Sequence, residues 1–476
     1  MNTIIILALC LFSLVAAANS IPYPFYSEQS GGLNQVMMID DGTSAFQMRV
    51  EMIRRAKKHI SVEYFLFNTD SAGKILANEL IAAAGRGVKV RVLVDKLLNL
   101  QMNEYYAKHL LEKKVKIKYY NDASIIQPSS AQFRNHRKLL AVDDLEAMTG
   151  GRNLGDEYFD NDREFNFNDR DVYVKGPMVK SMRDSFDKFY FHEISIQPDL
   201  TKVKNENKLK AATDFFKENN ADKATRVRMQ ALGRRAISAK KLHTCPVLSF
   251  ASDAPGGNFI RRLTKEYETD YRHLREVLRD KVEAIDKSLF ISSPYMMHNK
   301  RTDQLYKSLM DKKVKVSIYT NSLASTDGIF VSAQMYTGVK NWRESGVNIY
   351  FHDGKLSGPT QEAATYAKNA RWGTHSKTQI YETSRYTEVM IGTYNIDNRS
   401  NFYNTEMALF CKGNNEFTAE VKKSLIDLAR QGLKVNRDMT ATDRHGKITN
   451  IYGESDQEVL KMKAATIPTW LIKFLM

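Results

Sequence analysis

The strongest constraint on this chain is that one pattern of charged residues occurs twice. The first copy is Asn135-His136-Arg137-Lys138-Leu139-Leu140-Ala141-Val142-Asp143, and the second is His375-Ser376-Lys377-Thr378-Gln379-Ile380-Tyr381-Glu382. Each reads His, one residue, Lys, four residues, carboxylate. A strand places residues two apart on one face, so His and Lys of each copy would point the same way. Each copy is followed by a Gly-containing turn and an Asn: Gly150-Gly151-Arg152-Asn153 and Gly392-Thr393-Tyr394-Asn395. Further on, Asp169-Arg170-Asp171 and Asn404-Thr405-Glu406 each enter an apolar run. A single His-x-Lys carries no information; two whole constellations in one order do.

The surroundings of the motifs repeat as well. Ser44 to Lys58 has helical apolar spacing, His59 to Phe67 is strand-like, Ala72 to Ala84 is helical up to Gly85-Arg86-Gly87, and Val88 to Val94 is β-branched. The same order returns in Leu274 to Ile285, Ser288 to Ser293, Thr302 to Met310 and Val314 to Tyr319. Gly87-Val88-Lys89-Val90-Arg91-Val92 and Lys313-Val314-Lys315-Val316-Ser317-Ile318 sit at matching places. Alternation of strands and amphipathic helices is α/β patterning. The chain therefore reads as two duplicated lobes, residues 19–195 and 246–440.

Between the lobes, residues 196–245 read as a basic linker: Lys202 to Lys241 holds 12 Lys+Arg against 4 Asp+Glu. It is expected to be solvated and partly helical, or else a flap that meets lipid headgroups. The whole chain of 476 residues carries 70 Lys+Arg and 55 Asp+Glu, a net charge of +15, which favours polyanionic partners without choosing among them. Residues 4–18 form one apolar block ending in Ala16-Ala17-Ala18; residues 1–18 are read as a signal peptide, with an uncleaved anchor as the other reading. Either makes this an exported protein, periplasmic, membrane-associated or secreted. Residues 441–476 form a tail whose end, Ile467 to Met476, is open to two readings, an interfacial membrane anchor or a segment docked on the body. Of the three cysteines, Cys245 and Cys411 would remain in the mature chain and are expected to be two buried thiols. No Cys/His cluster has zinc-site spacing, and neither a metal nor a cofactor is implied.

These residues resemble the phospholipase D superfamily, whose signature is a duplicated His-x-Lys-x4-Asp followed by an Asn in a Gly-containing turn. The stretches Gly150 to Phe159 and Gly392 to Glu406, with Asn395, Asp397, Arg399, Ser400 and Asn404 in place, resemble most the bacterial cardiolipin synthase and phosphatidyltransferase branch. Two positions depart from the pattern: Glu382 stands where Asp is usual, and Asp144 follows Asp143 where Gly is common. The resemblance implies mixed sheets flanked by helices, two lobes about a pseudo-two-fold axis, and one shared active site. It implies His136 as nucleophile, His375 as acid and then base, and Lys138, Lys377, Asn153 and Asn395 around the phosphoryl oxygens. Asp143 and Glu382 lie five residues from the Lys, on the opposite strand face, and read as supports. Asp171 and Glu406, which coincide when Asp171-Val172-Tyr173-Val174 is laid on Glu406-Met407-Ala408-Leu409, are the expected carboxylates to orient the imidazoles. The expected substrate is a glycerophospholipid at an anionic membrane surface; a secreted nuclease or other phosphodiesterase is the alternative, with nucleic acid the less favoured partner. Hydrolysis and transfer differ only in the acceptor, which the sequence leaves open.

Overall fold

A computed structural model describes residues 26–97, 99, 101–121, 132–256, 272–358 and 365–472. The leader, residues 1–18, lies outside the described residues. The tail is described through a backbone helix ending at Ile472, while the side chains from 465 onward lie outside.

The first lobe runs β1 (Tyr26–Ile39), α1 (Gly42–Arg55), β2 (His59–Tyr64), α2 (Ser71–Gly85), β3 (Lys89–Asp95), α3 (Glu104–Glu112), β4 (Val115–Tyr120), β5 (Leu139–Val142), β6 (Glu146–Gly150), β7 (Phe165–Asn168), β8 (Asp171–Lys175), α4 (Met178–Tyr190) and β9 (Ser195–Ile196). Two helices follow, α5 (Glu206–Phe215) and α6 (Asn220–Ser238). The second lobe runs β10 (His243–Ser252), α7 (His273–Glu283), β11 (Ser288–Ser292), α8 (Lys300–Asp311), β12 (Lys315–Asn321), α9 (Ile329–Glu344), β13 (Asn348–His352), β14 (Arg371–Thr374), β15 (Thr378–Glu382), β16 (Thr387–Gly392), α10 (Asn398–Phe402), β17 (Met407–Lys412), α11 (Asn415–Gln431) and β18 (Leu433–Val435). Two short strands, β19 (Thr440–Thr442) and β20 (Ile448–Asn450), and a last helix, α12 (Asp456–Ile472), close the chain.

Local chemistry accounts for the element ends. Asp41 caps α1 by accepting from the Ser44 N–H at 2.7 Å, and Asp70 caps α2 by accepting from Gly73 at 2.9 Å. Lys114 and Lys313, at φ 65° and 61°, are matching left-handed residues just before β4 and β12. The apolar faces of α1 and α2 (Phe46, Val50, Ile53, Ile75, Leu80) cover β2, β3 and β5.

Neighbouring strands in the first lobe run β1-β8-β6-β5-β2-β3-β4-β9, with β2-β3-β4 parallel and the other contacts antiparallel. The second lobe runs β10-β17-β16-β15-β11-β12-β13-β18 with the same polarity at every step. The lobes are thus two mixed sheets of one topology. Their first strands, β1 and β10, pair antiparallel, Tyr26 opposite Ala251 and Val36 opposite His243, which joins both sheets into one about a pseudo-two-fold axis. A second, parallel ribbon also crosses between lobes: β7 with β14, Asn168 opposite Thr374.

The basic stretch between the lobes is built into the first one. Helix α6 lies on α1 and α2: a Cβ on Gly233 would come within 2.5 Å of both the Gln47 Cβ and the Thr43 carbonyl oxygen, so only glycine permits the crossing. Met229 is buried in the lobe's core, and Asp222 accepts from Lys74 at 2.8 Å.

Cys245 and Cys411 are not thiols. Cys245 in β10 and Cys411 in β17 form a disulfide across adjacent antiparallel strands, with Cα atoms 5.8 Å apart. A separation of 166 residues hides a neighbourhood that only strand order reveals.

Candidate active site

Each motif histidine follows a short backbone contact with the opposite lobe. The His136 N–H donates to the Thr405 carbonyl at 3.1 Å, and the His375 N–H donates to the Asn168 carbonyl at 2.9 Å. Thr405 and Asn168 immediately precede carboxylates. Backbone pairing across the lobe boundary therefore delivers a carboxylate of one lobe to the imidazole of the other. His136 Nδ1 lies 2.9 Å from both Glu406 carboxylate oxygens, and His375 Nδ1 lies 2.7 Å from Asp169 Oδ2. With Nδ1 committed to a carboxylate, Nε2 of each ring is the nitrogen available for chemistry.

This corrects one expectation. Asp171 was to orient an imidazole, yet it is bound to Arg49 at 3.0 Å and to Arg152 at 3.4 Å. Strand register gives the reason. Gly150 faces Asp171 across β6 and β8, while the equivalent Gly392 faces Ala408 across β16 and β17. Asp171 therefore matches Ala408, and Asp169 matches Glu406. Two carboxylates of like spacing, two residues apart, allow either superposition in sequence; the register allows one.

Glu406 is itself held by Thr393 Oγ1 at 2.5 Å and Ser400 Oγ at 2.7 Å, two donors that the motif pattern did not single out as partners. Asp169 accepts from the Arg170 N–H at 2.7 Å. Aromatic rings wall the imidazoles: Phe65 meets His136 edge-on at 4.8 Å, and Tyr158 and Phe167 lie 5.3 and 4.9 Å from His375. Tyr158, buried in the first lobe, thus also bounds the site.

The lysines lie beside their histidines. Lys138 Nζ donates to the His136 carbonyl at 2.6 Å, and Lys377 Nζ donates to the His375 carbonyl at 2.6 Å while lying 2.9 Å from its Nε2. Asn153 Oδ1 accepts from the Leu66 N–H at 3.3 Å. Asn395 is fixed through its own N–H to Ser400 Oγ at 3.1 Å, and its buried Oδ1 has no hydrogen-bond partner among the described residues.

Asp143 and Glu382 stand apart from this cluster. Asp143, at φ 53°, accepts from the N–H groups of Lys57, Lys58 and His59 at 2.7, 2.7 and 2.9 Å, pinning the end of β5 to the start of β2. Glu382 accepts from Lys422 at 2.6 Å and from the Ser288 hydroxyl. Both contacts are supports at strand ends.

Burial sets the charges of the unliganded site. Burial, with Lys138 and Lys377 nearby, holds His136 well below the ordinary imidazole value, and burial with Lys377 lowers His375 to about 4. Burial lowers Lys138 well below its ordinary range and Lys377 to about 8, and it raises Glu406 to about 8 against the pull of Lys138. Burial also works to raise Asp169, but the attraction and hydrogen bond of His375 keep it below the usual carboxylate value. The two dyads are thus unequal: Asp169 is held below the usual carboxylate value, whereas Glu406 is raised to about 8. A bound phosphodiester anion would favour the charged lysines and a protonated His375, offsetting the burial that lowers all three. Among the described residues no group of three or more His, Cys, Asp and Glu is arranged to hold a metal.

Comparison with known proteins gives a consistent picture. A family model described as "Cardiolipin synthase, PLD-like domain" matches residues 50–190 and 278–436. A Helicobacter pylori protein, described as an uncharacterized protein, is 27% identical over 420 residues, covering 83% of this chain and 79% of its own. Cardiolipin synthase C of Escherichia coli K12 is 25% identical over 471 residues, covering 91% of this chain and 92% of its own. The crystal structure of phosphatidylserine synthase from Haemophilus influenzae Rd KW20 covers 93% of this chain and 95% of its own with a TM-score of 0.60 at 15% identity, a likeness of fold.

Proposed function

Since the chain belongs to the phospholipase-D-like family of the cardiolipin synthase domain, and is a phospholipase D superfamily enzyme of the phosphatidyltransferase type, we propose that it transfers a phosphatidyl group between alcohols through a covalent phosphohistidine. The observation that carries this reading is the pair of imidazole–carboxylate dyads facing each other across the lobe boundary. Nε2 of His136 attacks phosphorus, and His375 gives a proton to the departing alcohol oxygen. A second alcohol, or water, then loses its proton to His375 and attacks the phosphohistidine, releasing His136. Glu406 and Asp169 fix each ring by its Nδ1 and stabilise the imidazolium that each step forms. Lys138, Lys377, Asn153 and Asn395 surround the phosphoryl oxygens, where charge builds in the transition state.

The substrate on this reading is a glycerophospholipid such as phosphatidylglycerol, met at an anionic membrane surface by a strongly basic protein. Export to an oxidising compartment accords with the apolar block at residues 4–18 and with the Cys245–Cys411 disulfide. No described helix is long and apolar enough to cross a membrane. The decisive experiment incubates the protein with phosphatidylglycerol, with and without added glycerol or phosphatidylethanolamine, and identifies products by mass. Cardiolipin or headgroup-exchanged lipid marks transfer, and phosphatidic acid alone marks hydrolysis. No lipid turnover by wild type, together with cleavage of oligonucleotides, would replace this reading with a nuclease.

A further inference from the structure

The carboxylates that serve the two imidazoles are anchored differently, although the strands that carry them match. Gly151 and Thr393 each follow the first glycine of their turn, and Tyr158 and Ser400 each stand five residues after the turn asparagine. In the first lobe a Cβ on residue 151 would lie 2.1 Å from Asp169 Oδ1, so the carboxylate itself fills the space that a side chain would need. Tyr158 turns its ring to His375, at 5.3 Å. Among the described residues no hydroxyl donates to Asp169, whose bonds are to His375 and the Arg170 N–H. The second lobe has hydroxyls at both places and a carboxylate longer by one methylene. Thr393 Oγ1 and Ser400 Oγ belong to fully buried residues and lie 2.5 and 2.7 Å from Oε2 and Oε1 of Glu406.

Backbone contacts fix which way these hydroxyl protons point. Ser400 Oγ accepts from the Asn395 N–H at 3.1 Å, and Thr393 Oγ1 accepts from the Met407 N–H at 3.0 Å. Each hydroxyl has one proton to give. That of Ser400 goes to Glu406, and that of Thr393 has Glu406 at 2.5 Å against the Met407 carbonyl at 3.3 Å. Together with His136 Nδ1, the two hydroxyls aim three donors at one buried carboxylate. Hydrogen bonds of this kind favour the ionised form. The charged and titratable groups around Glu406 are His136 and Lys138 of the first lobe and Lys377, Tyr394, Asp397 and Asp253 of the second. Burial, with Asp397, favours the neutral carboxyl; Lys138 and then the two hydroxyls oppose it.

We propose that Thr393 and Ser400 are positioning residues for the reaction, their hydroxyls holding Glu406 as a carboxylate at Nδ1 of His136 so that it supports the imidazolium of that ring. The Ser400 hydroxyl also ties this carboxylate to the turn that carries Asn395, because the Asn395 N–H is its donor. A phosphoryl group carried on Nε2 leaves the ring positively charged for the life of the intermediate, whereas the other histidine passes on a proton and is neutral again. The anchored carboxylate thus stands behind the histidine that bears its charge the longer. The inference rests on the phosphohistidine reading above, and the test separates the two.

The full chain is compared as wild type, Ser400→Ala, Thr393→Val and Thr393→Ser. Losing one hydrogen bond to a charged group should raise the pH at which Glu406 ionises by about one unit. The acid flank of the kcat profile should move up by about that much in Ser400→Ala and Thr393→Val, with about a tenfold loss of turnover at pH 7. Thr393→Ser, which keeps the hydroxyl, should restore the wild-type flank. The low-field NMR resonance of the His136 Nδ1 proton, assigned by its loss in His136→Ala, reads the same ionisation without turnover, and its midpoint should shift equally. An acid flank and an NMR midpoint that both stay at wild-type values in folded Ser400→Ala and Thr393→Val overturn the proposal. So does a loss of turnover equal at every pH, which marks a structural role alone. Should Ser400→Ala fail to fold, Thr393→Val against Thr393→Ser carries the same test. Wild type that forms no phosphohistidine, with the NMR midpoint still shifted in the variants, would overturn the covalent reading while upholding the two hydroxyls as anchors of Glu406.

Discussion

His136 of the first lobe and Glu406 of the second are 2.9 Å apart, 270 residues from each other in the chain. The reciprocal pair, His375 and Asp169, is 2.7 Å apart across the same boundary. Neither lobe therefore holds a complete dyad, and an active lobe cannot be cut free of its partner.

Asp169→Asn should lower turnover by about 10²- to 10⁴-fold, because an amide can no longer stabilise an imidazolium at His375. Asp171→Asn should leave the reaction mechanism in place and act on stability instead. It uncouples the buried Arg49 guanidinium, a loss of about 3–5 kcal/mol, which urea titration measures. The reverse order of effects would restore Asp171 as the orienting carboxylate.

His136→Ala and His375→Ala should each reduce turnover by about 10³-fold or more. Acid quenching with phosphorus-labelled lipid distinguishes them: label should stay on protein carrying His375→Ala when a good leaving group is supplied, and never on His136→Ala. Labelled His136→Ala protein would reverse the assignment of nucleophile.

The kcat profile, read once the anionic substrate is bound and has favoured the proton on His375, should be a narrow bell near pH 8. Glu406, raised to about 8, must ionise to support His136, so activity falls as pH drops below that value. Lys377, lowered to about 8, must stay charged to bind the phosphoryl oxygens, so activity falls as pH rises above it. Glu406→Gln should flatten the acid limb, and Lys377→Arg should carry the alkaline limb upward. A profile unmoved by both substitutions would exclude these groups as the titrating pair.

Asp143→Asn and Glu382→Asp should both retain most of the turnover. Asp143 accepts three backbone N–H groups, and although burial opposes it, their hydrogen bonds hold its carboxyl below the ordinary value. Its folded pKa being depressed, the stability it gives is full above the unfolded pKa and is lost as pH falls through the folded one. Replacement should cost about 1 kcal/mol at neutral pH and progressively less under acid, by urea titration at pH 7 and pH 3. A cost that is the same at both values would show that the carboxylate charge contributes nothing.

The sequence alone determined the duplication, the class of fold, the two His-x-Lys pairs and the two turn asparagines, because these rest on local spacing that survives in one dimension. A five-residue offset from lysine marked Asp143 and Glu382 as supports on strand alternation, whereas Asp143 reaches that role from a left-handed turn past the end of β5. Tertiary structure alone decided which carboxylate serves which imidazole, because Asp169 and Asp171 are indistinguishable by type and differ only in register against β6. The Cys245–Cys411 disulfide escaped for a related reason: β10 and β17 become neighbours only when the sheet is ordered. So did the place of the basic stretch that reads as linker, whose helix α6 packs as a cover on α1 and α2. Spacing records what a strand or helix does to its own residues; pairing between distant strands is set by the packing of the whole, and no local pattern carries it.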